Sequence, residues 1–148
     1  MKFLVQKVSK AEVRVDNNVI GKINKGFMIL IGIHKNDTIK EADKLISKVL
    51  KLRIFEDEND KLNLNIKDID GEILAISQFT LYGNTEKGNR PSFINAAKGD
   101  VAEPLYDYIV QELSKNIKTE KGKFGAFMEV DFINEGPVTI ILEEENEK

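Results

Sequence analysis

The segment FMILIGI at positions 27–33 has no polar side chain in seven residues. A half-buried strand alternates apolar and polar positions, whereas a short unbroken apolar run reads as a central strand covered on both faces. Such a strand obliges the rest of the chain to supply a sheet around it and a layer on either side. It is too short to cross a bilayer, which takes about 20 apolar residues.

The flanking sequence supplies those parts. Over 3–15, Phe3, Val5, Ala11, Val13 and Val15 share one parity, and Gln6, Lys10, Glu12 and Arg14 the other. That period of two predicts a strand. Asp16-Asn17-Asn18 marks a turn, and 19–23 returns as its hairpin partner. Thr38 followed by Glu41 is a capping box, and Ala42, Leu45, Ile46, Val49 and Leu50 fall on one face behind it, so 38–52 is predicted helical. EDEND at 56–60 reads as a polar turn and 73–81 as another strand. A long loop at 83–98 precedes a second helix, opened by Asp100 with Glu103 and striped by Leu105, Ile109 and Leu113. Residues 127–133 and 138–142 are predicted as two strands joined by Asn134-Glu135-Gly136-Pro137. In the first, Met128, Val130 and Phe132 face away from Glu129 and Asp131. The order is strand, strand, strand, helix, strand, helix, strand, strand. That describes one α+β domain over 1–148 and disfavours a doubly wound nucleotide fold, as does the absence of a Gly-rich phosphate loop.

Composition narrows the chemistry. With no Cys there is no disulfide, thiolate nucleophile or cysteine metal site, and the lone His34 makes a His-based metal centre untenable. His34 is read as structural or surface. The chain carries 22 basic and 25 acidic residues, for a net charge of −3. The acidic tail EEENEK at 143–148 accounts for all of that, so the body is neutral and cannot hold nucleic acid by bulk charge. Two local basic stretches stand out, 84–98 and 114–123, each readable as a solvated loop. The N-terminus lacks a long apolar region and a small-residue cleavage site, so no signal peptide is read and a cytoplasmic location is expected.

Three features go beyond packing. Ser77, Gln78 and Thr80 surround Phe79 at the tip of an apolar strand. They are either polar groups positioned by rigid backbone or a strand emerging into solvent. Gly136-Pro137 reads locally as a hairpin turn, since proline cannot donate to a ladder. Lys7 has the parity of Phe3 and Val5. It points inward if the strand is regular, or outward if a bulge near Ser9 turns it.

These residues together resemble the D-aminoacyl-tRNA deacylase family, of the D-Tyr-tRNA deacylase type. The resemblance runs from VQKV at 5–8 through SQFTL at 77–81, GNRPSF at 88–93, LYDYIV at 105–110 and FGAFMEV at 124–130 to NEGPVT at 134–139. It implies a barrel-like core of largely antiparallel, mixed sheets with two main helices. It also implies a cytoplasmic homodimer that binds tRNA and needs no cofactor or metal. The implied activity is chiral proofreading, hydrolysis of the ester joining a D-amino acid to the tRNA 3′-terminal adenosine, with glycyl-tRNA also admitted. Carried over, Ser77, Gln78, Phe79 and Thr80 line the pocket for the aminoacylated adenosine, with Phe93 and Met128 as further wall residues. Gly136 and Pro137, joined by a cis bond, reach into the partner subunit's site and exclude L-amino acids. The family's usual Arg is replaced here by Lys7, a point charge instead of a planar fork, which loosens control over the Gly-Pro loop.

Without a thiol or a histidine base, two routes to ester hydrolysis remain. The tRNA ribose 2′-OH can assist water within a pocket whose backbone N–H groups near Phe79 and Thr80 stabilise the oxyanion, or Thr80 can form a covalent ester. The first ranks ahead of the second. The rival from another class is a non-catalytic RNA-binding or dimeric scaffold domain.

Overall fold

The computed structural model describes residues 1–146. The predicted acidic tail therefore lies partly outside the described residues, at 147 and 148. The first strand, β1 (Lys2–Val15), turns at Asp16 and Asn17, both with positive φ, into β2 (Asn18–Ile23). Short polar side chains tolerate that left-handed backbone, which matches the twist of a tight hairpin. The apolar run becomes β3 (Gly26–Gly32), buried at all but one position. Next come α1 (Ile39–Lys51), a small hairpin of β4 (Phe55–Glu56) and β5 (Leu62–Leu64), then β6 (Glu72–Ser77). After a 3-10 turn at Phe79–Tyr82 come α2 (Gly99–Ser114), β7 (Thr119–Lys121) and β8 (Glu129–Glu143).

The sheet is mixed. β1 pairs antiparallel with β3 through Lys2–Val8 and with β2 through Ala11–Val15, while β8 runs antiparallel along its other edge. β3, β6 and β7 are parallel, so α1 and the β4–β5 hairpin lie between β3 and β6, and α2 between β6 and β7. The sheet curls until its ends nearly meet. A Cβ on Gly21 of β2 would sit 2.9 Å from the Lys121 carbonyl oxygen of β7, so glycine permits the near-closure. Inside this near-barrel lie Val8, Ala11, Val13, Ile23, Met28, Leu74 and Ile76. A larger core joins the other face, with Phe3, Val5, Phe27 and Ile29, to the apolar stripes of both helices. The α1 capping box is present, with Thr38 accepting from the Lys40 N–H and Glu41 Oε1 accepting from the Thr38 N–H at 2.7 Å.

Several expectations need correction. The strand expected over 73–81 ends at Ser77. Gln78 N–H still bonds the Ile31 carbonyl at 2.8 Å, but the chain then turns. The turn packs over β3 because Gly32 has no Cβ, and one would lie 2.9 Å from Leu81 Cβ. The two strands expected over 127–133 and 138–142 are one strand, β8, not a hairpin, because both halves pair with β1 in the same direction. Gln6 faces Thr139 and Val8 faces Asn134, so Glu135–Val138 loop out of the ladder opposite Lys7. The Gly136–Pro137 peptide there is cis, and Gly136 has φ +119°. Asp100 lies in the first turn of α2, which begins at Gly99 after Lys98.

Candidate active site

A cavity of about 400 Å³ opens at the carboxyl ends of the parallel strands β3 and β6. Crevices at such strand ends are where α/β sheets commonly bind ligands. Its floor is apolar, from Ile31, Ile33, Ile76 and Ala102. Ser77, Gln78 and Phe79 form one wall, and residues 124–128 form the opposite one. Among the described residues, none of its lining side chains is a carboxylate, imidazole or thiol, and no group of three His, Cys, Asp or Glu gathers to hold a metal.

The strand end positions the polar groups. Ser77 is the last residue of β6, facing Ile31 of β3. Gln78 leaves the extended conformation, and its Nε2 donates to Thr80 Oγ1. Phe79 and Thr80 open the 3-10 turn, where first-turn N–H groups have no intrahelical acceptor. Phe79 is 55% exposed and meets Phe93 edge-on, with ring centroids 5.1 Å apart. Met128 lines the opposite wall and fits because Gly122 lacks a side chain: a Cβ there would lie 2.6 Å from Met128 Sδ.

Of the residues singled out from sequence, Ser77, Gln78, Phe79 and Met128 converge on this cavity. Thr80 and Phe93 border it through Gln78 and Phe79 without lining it. Lys7 stands apart. It is buried on the face of Phe3 and Val5, with its Nζ 5.4 Å from the Phe55 ring centroid. It makes no hydrogen bond to the Gly-Pro loop. A register shift near Ser9 does occur, but beyond Lys7, so it does not turn that side chain outward.

Gly136 and Pro137 also lie off the cavity of their own chain, exposed on the looped-out segment of β8. Their frame was not foreseen. Asn134 Nδ2 donates to Thr139 Oγ1 at 3.0 Å, Gln6 Nε2 donates to the same oxygen at 3.3 Å, and Val138 N–H donates to Asn134 Oδ1 at 3.2 Å. The signal was a pair of short polar side chains flanking the Gly-Pro step. Tyr106 was missed as well. From α2 its hydroxyl donates to the Ala75 carbonyl at 2.7 Å, two residues before Ser77, and its ring packs on Phe124 of the pocket wall. Burial raises the Tyr106 phenol well above its ordinary range, so it stays a neutral donor.

Comparison with known proteins places the whole chain in one family. The family profile described as D-Tyr-tRNA(Tyr) deacylase matches residues 4–143. A D-aminoacyl-tRNA deacylase of Clostridium perfringens is 54% identical over 144 residues, 97% of each chain. Another, from Fusobacterium nucleatum, is 53% identical over 97% of this chain and 95% of its own. The solved structure of a c-Myc DNA unwinding element binding protein superposes with a TM-score of 0.93 at 41% identity, covering 99% of this chain and all of that one. A probable eukaryotic D-amino acid tRNA deacylase shares the fold, with a TM-score of 0.84 at 18% identity over 95% of this chain and 97% of its own. Fold and sequence thus define an ester hydrolase of the aminoacyl-tRNA deacylase class. Within that class, the chain belongs to the D-Tyr-tRNA(Tyr) deacylase family.

Proposed function

We propose that the protein frees tRNA from D-amino acids, and from glycine, by hydrolysing the ester at the 3′-terminal adenosine, as a cytoplasmic homodimer whose Gly136-Pro137 loop completes the partner's pocket. The observation that supports the cross-subunit reading is the separation of the two parts. The loop is exposed and absent from the wall of its own cavity. The strand that carries it is 15 residues long and has no partner beyond β1 among the described residues, and Ile133 and Ile141 on it are 50% and 64% exposed. Long edges of this kind are ordinarily covered. Glycine at 136 lets carbonyls approach a substrate α-carbon closely, so one enantiomer is rejected by clash without reading its side chain. Glycine, having no side chain, passes the same filter.

In the proposed reaction, water oxygen bonds the ester carbonyl carbon. The bond to the ribose 3′ oxygen breaks, and that oxygen takes a proton, leaving intact tRNA and a free amino acid. The N–H groups of Phe79 and Thr80 are the donors assigned to the developing oxyanion. Among the described residues no base lines the cavity, and the Thr80 hydroxyl oxygen accepts from Gln78, which favours 2′-OH assistance over a Thr80 nucleophile. The test is deacylation of matched D- and L-aminoacyl-tRNA, together with subunit mixing. A chain with Gly136→Ala and a chain with a filled pocket, Ser77→Trp, should each be inactive alone and regain activity when mixed. Equal rates on both enantiomers refute chiral selection, and failure of mixing to restore activity refutes the cross-subunit loop.

A further inference from the structure

The start of α2 meets the 124–128 wall at one rim of the cavity. There a Cβ on Gly99, the first residue of α2, would lie 3.7 Å from Phe124 Cε1. The residue before each of these is a lysine, so Lys98 and Lys123 each adjoin in sequence a residue that lines the apolar pocket at this rim. Both are exposed, and neither has an ion pair or side-chain hydrogen bond among the described residues. Two other lysines of the 114–123 stretch are engaged, Lys115 with Glu112 at 2.8 Å and Lys118 with Glu72 at 3.5 Å, while Lys121, at the end of β7, is exposed like Lys123 but does not adjoin a residue of the cavity lining at this rim. The acidic residue closest in sequence to this rim, Asp100, sits in the first turn of α2, where the helix dipole favours a carboxylate.

We propose that Lys98 and Lys123 grip the phosphodiesters that precede the terminal adenosine of a tRNA acceptor strand. This rests on the function proposed above. The body of the chain is neutral, so it offers no bulk field to a polyanion, and affinity for one has to come from local cations placed beside the site that takes its end. The pocket takes the aminoacyl-adenosine, whose ester and nucleoside carry no negative charge. The first anionic groups of the substrate, its phosphodiesters, lie outside it, at the rim where the free lysines stand.

The test compares the double variant Lys98→Ala/Lys123→Ala with the parent on two substrates, D-aminoacyl-tRNA and a D-aminoacyl-adenosine ester that carries no phosphate. The expected result is a 10- to 100-fold rise in KM on tRNA with kcat and the adenosine ester unaffected, and recovery with Lys→Arg at both positions. The logarithmic salt dependence should also become shallower by about 1.4, at ~0.7 per single-strand phosphate contact. Unchanged KM on tRNA overturns the proposal, as does an equal loss on both substrates, which would mean a damaged pocket. A parallel measurement needs no turnover: fluorescence anisotropy of a 5′-phosphorylated ACCA oligonucleotide. Weaker binding by the double variant supports the phosphate grip even if the parent hydrolyses neither ester, an outcome that would overturn the proposed function alone. Equal binding overturns the grip.

Discussion

Gly122→Ala isolates the fit of Met128 from the stability of the fold. Gly122 follows β7, its N–H donates to the Ala75 carbonyl at 3.2 Å, and its φ lies outside the left-handed region, so an alanine backbone is permitted. The new methyl would stand 2.6 Å from Met128 Sδ and 3.0 Å from Ile76 Cδ1. Ordinary contact begins at 3.4 Å, so the sulfur is 0.8 Å too close and must yield. Overpacking of this kind costs about 1–3 kcal/mol. An unbranched thioether adapts at the low end of that range, and the loss of glycine freedom returns about 0.4–1 kcal/mol. The fold should therefore hold, with Tm shifted by no more than about 5 °C. The pocket does not escape so easily, because both side chains that give way line it. A displacement of about 1 Å at a reacting site can cost ~10²-fold. We expect kcat/KM for D-aminoacyl-tRNA to fall about 10- to 100-fold, measured beside a thermal melt. In a Met128→Ala background the same glycine change should cost much less, since the 2.6 Å contact is gone and only Ile76 Cδ1, at 3.0 Å, still has to give by a few tenths of an ångström. An unchanged kcat/KM in the single variant refutes the reasoning, as does an undiminished loss in the Met128→Ala background.

Thr80→Ala should retain substantial activity in single-turnover deacylation; a loss of about 10⁴-fold, on the scale of removing a true nucleophile, would favour the covalent route. Tyr106→Phe should cost about 0.5–1.5 kcal/mol in urea unfolding and no more, because the Ala75 carbonyl keeps its second donor, Gly122 N–H. Burial alone would raise the Glu41 carboxyl, but the Thr38 N–H and hydroxyl outweigh it and hold Glu41 below the ordinary carboxylate range. Its contribution is therefore present above the unfolded value and lost as pH falls through the folded one, so Glu41→Gln should flatten the acid limb of a stability–pH curve below about pH 4.3. Asp37→Ala removes the buried acceptor of the Met1 ammonium and the His34 N–H and should cost about 3–5 kcal/mol by chemical denaturation.

The parts of the fold that sequence foretold are those fixed by local chemistry. Alternation through β1, the Asp16-Asn17 turn, the apolar run of β3 and the Thr38–Glu41 box each state their conformation within a few residues. What escaped depends on neighbours distant in sequence. Residues 127–133 and 138–142 look like a hairpin because Gly-Pro breaks the pattern, and only the shared partner β1 makes them one strand. The end of β6 is set by Gly32 making room for Leu81. β7, three residues reading TEK, has no apolar period and exists because β6 offers it an edge. The candidate site divides the same way. Ser77, Gln78, Phe79 and Met128 stand out as polar or soft groups at strand tips. Gly99, Ala102 and Tyr106 look like ordinary helix residues until α2 is laid across the sheet.

Lys7 shows where parity reasoning holds and where it lapses. The sequence admits two readings of it, inward on a regular strand or outward past a bulge. The structure has the register shift and still points Lys7 inward, because the shift falls after it. The record of that shift is in the sequence. Phe3 and Val5 are buried against the helices, while Val8, Ala11 and Val13 are buried inside the near-barrel. Val8 and Ala11 differ in parity, and a strand can bury both on one face only by inserting an extra residue between them. Two fully apolar positions three apart in an otherwise alternating strand therefore mark the bulge and locate it at Ser9-Lys10. Everything before it, Lys7 included, keeps the parity of Phe3. A lysine placed inward in this way lies opposite the looped-out Glu135–Val138, so its geometry is tied to the Gly-Pro segment through the backbone of β1, whatever its ammonium touches.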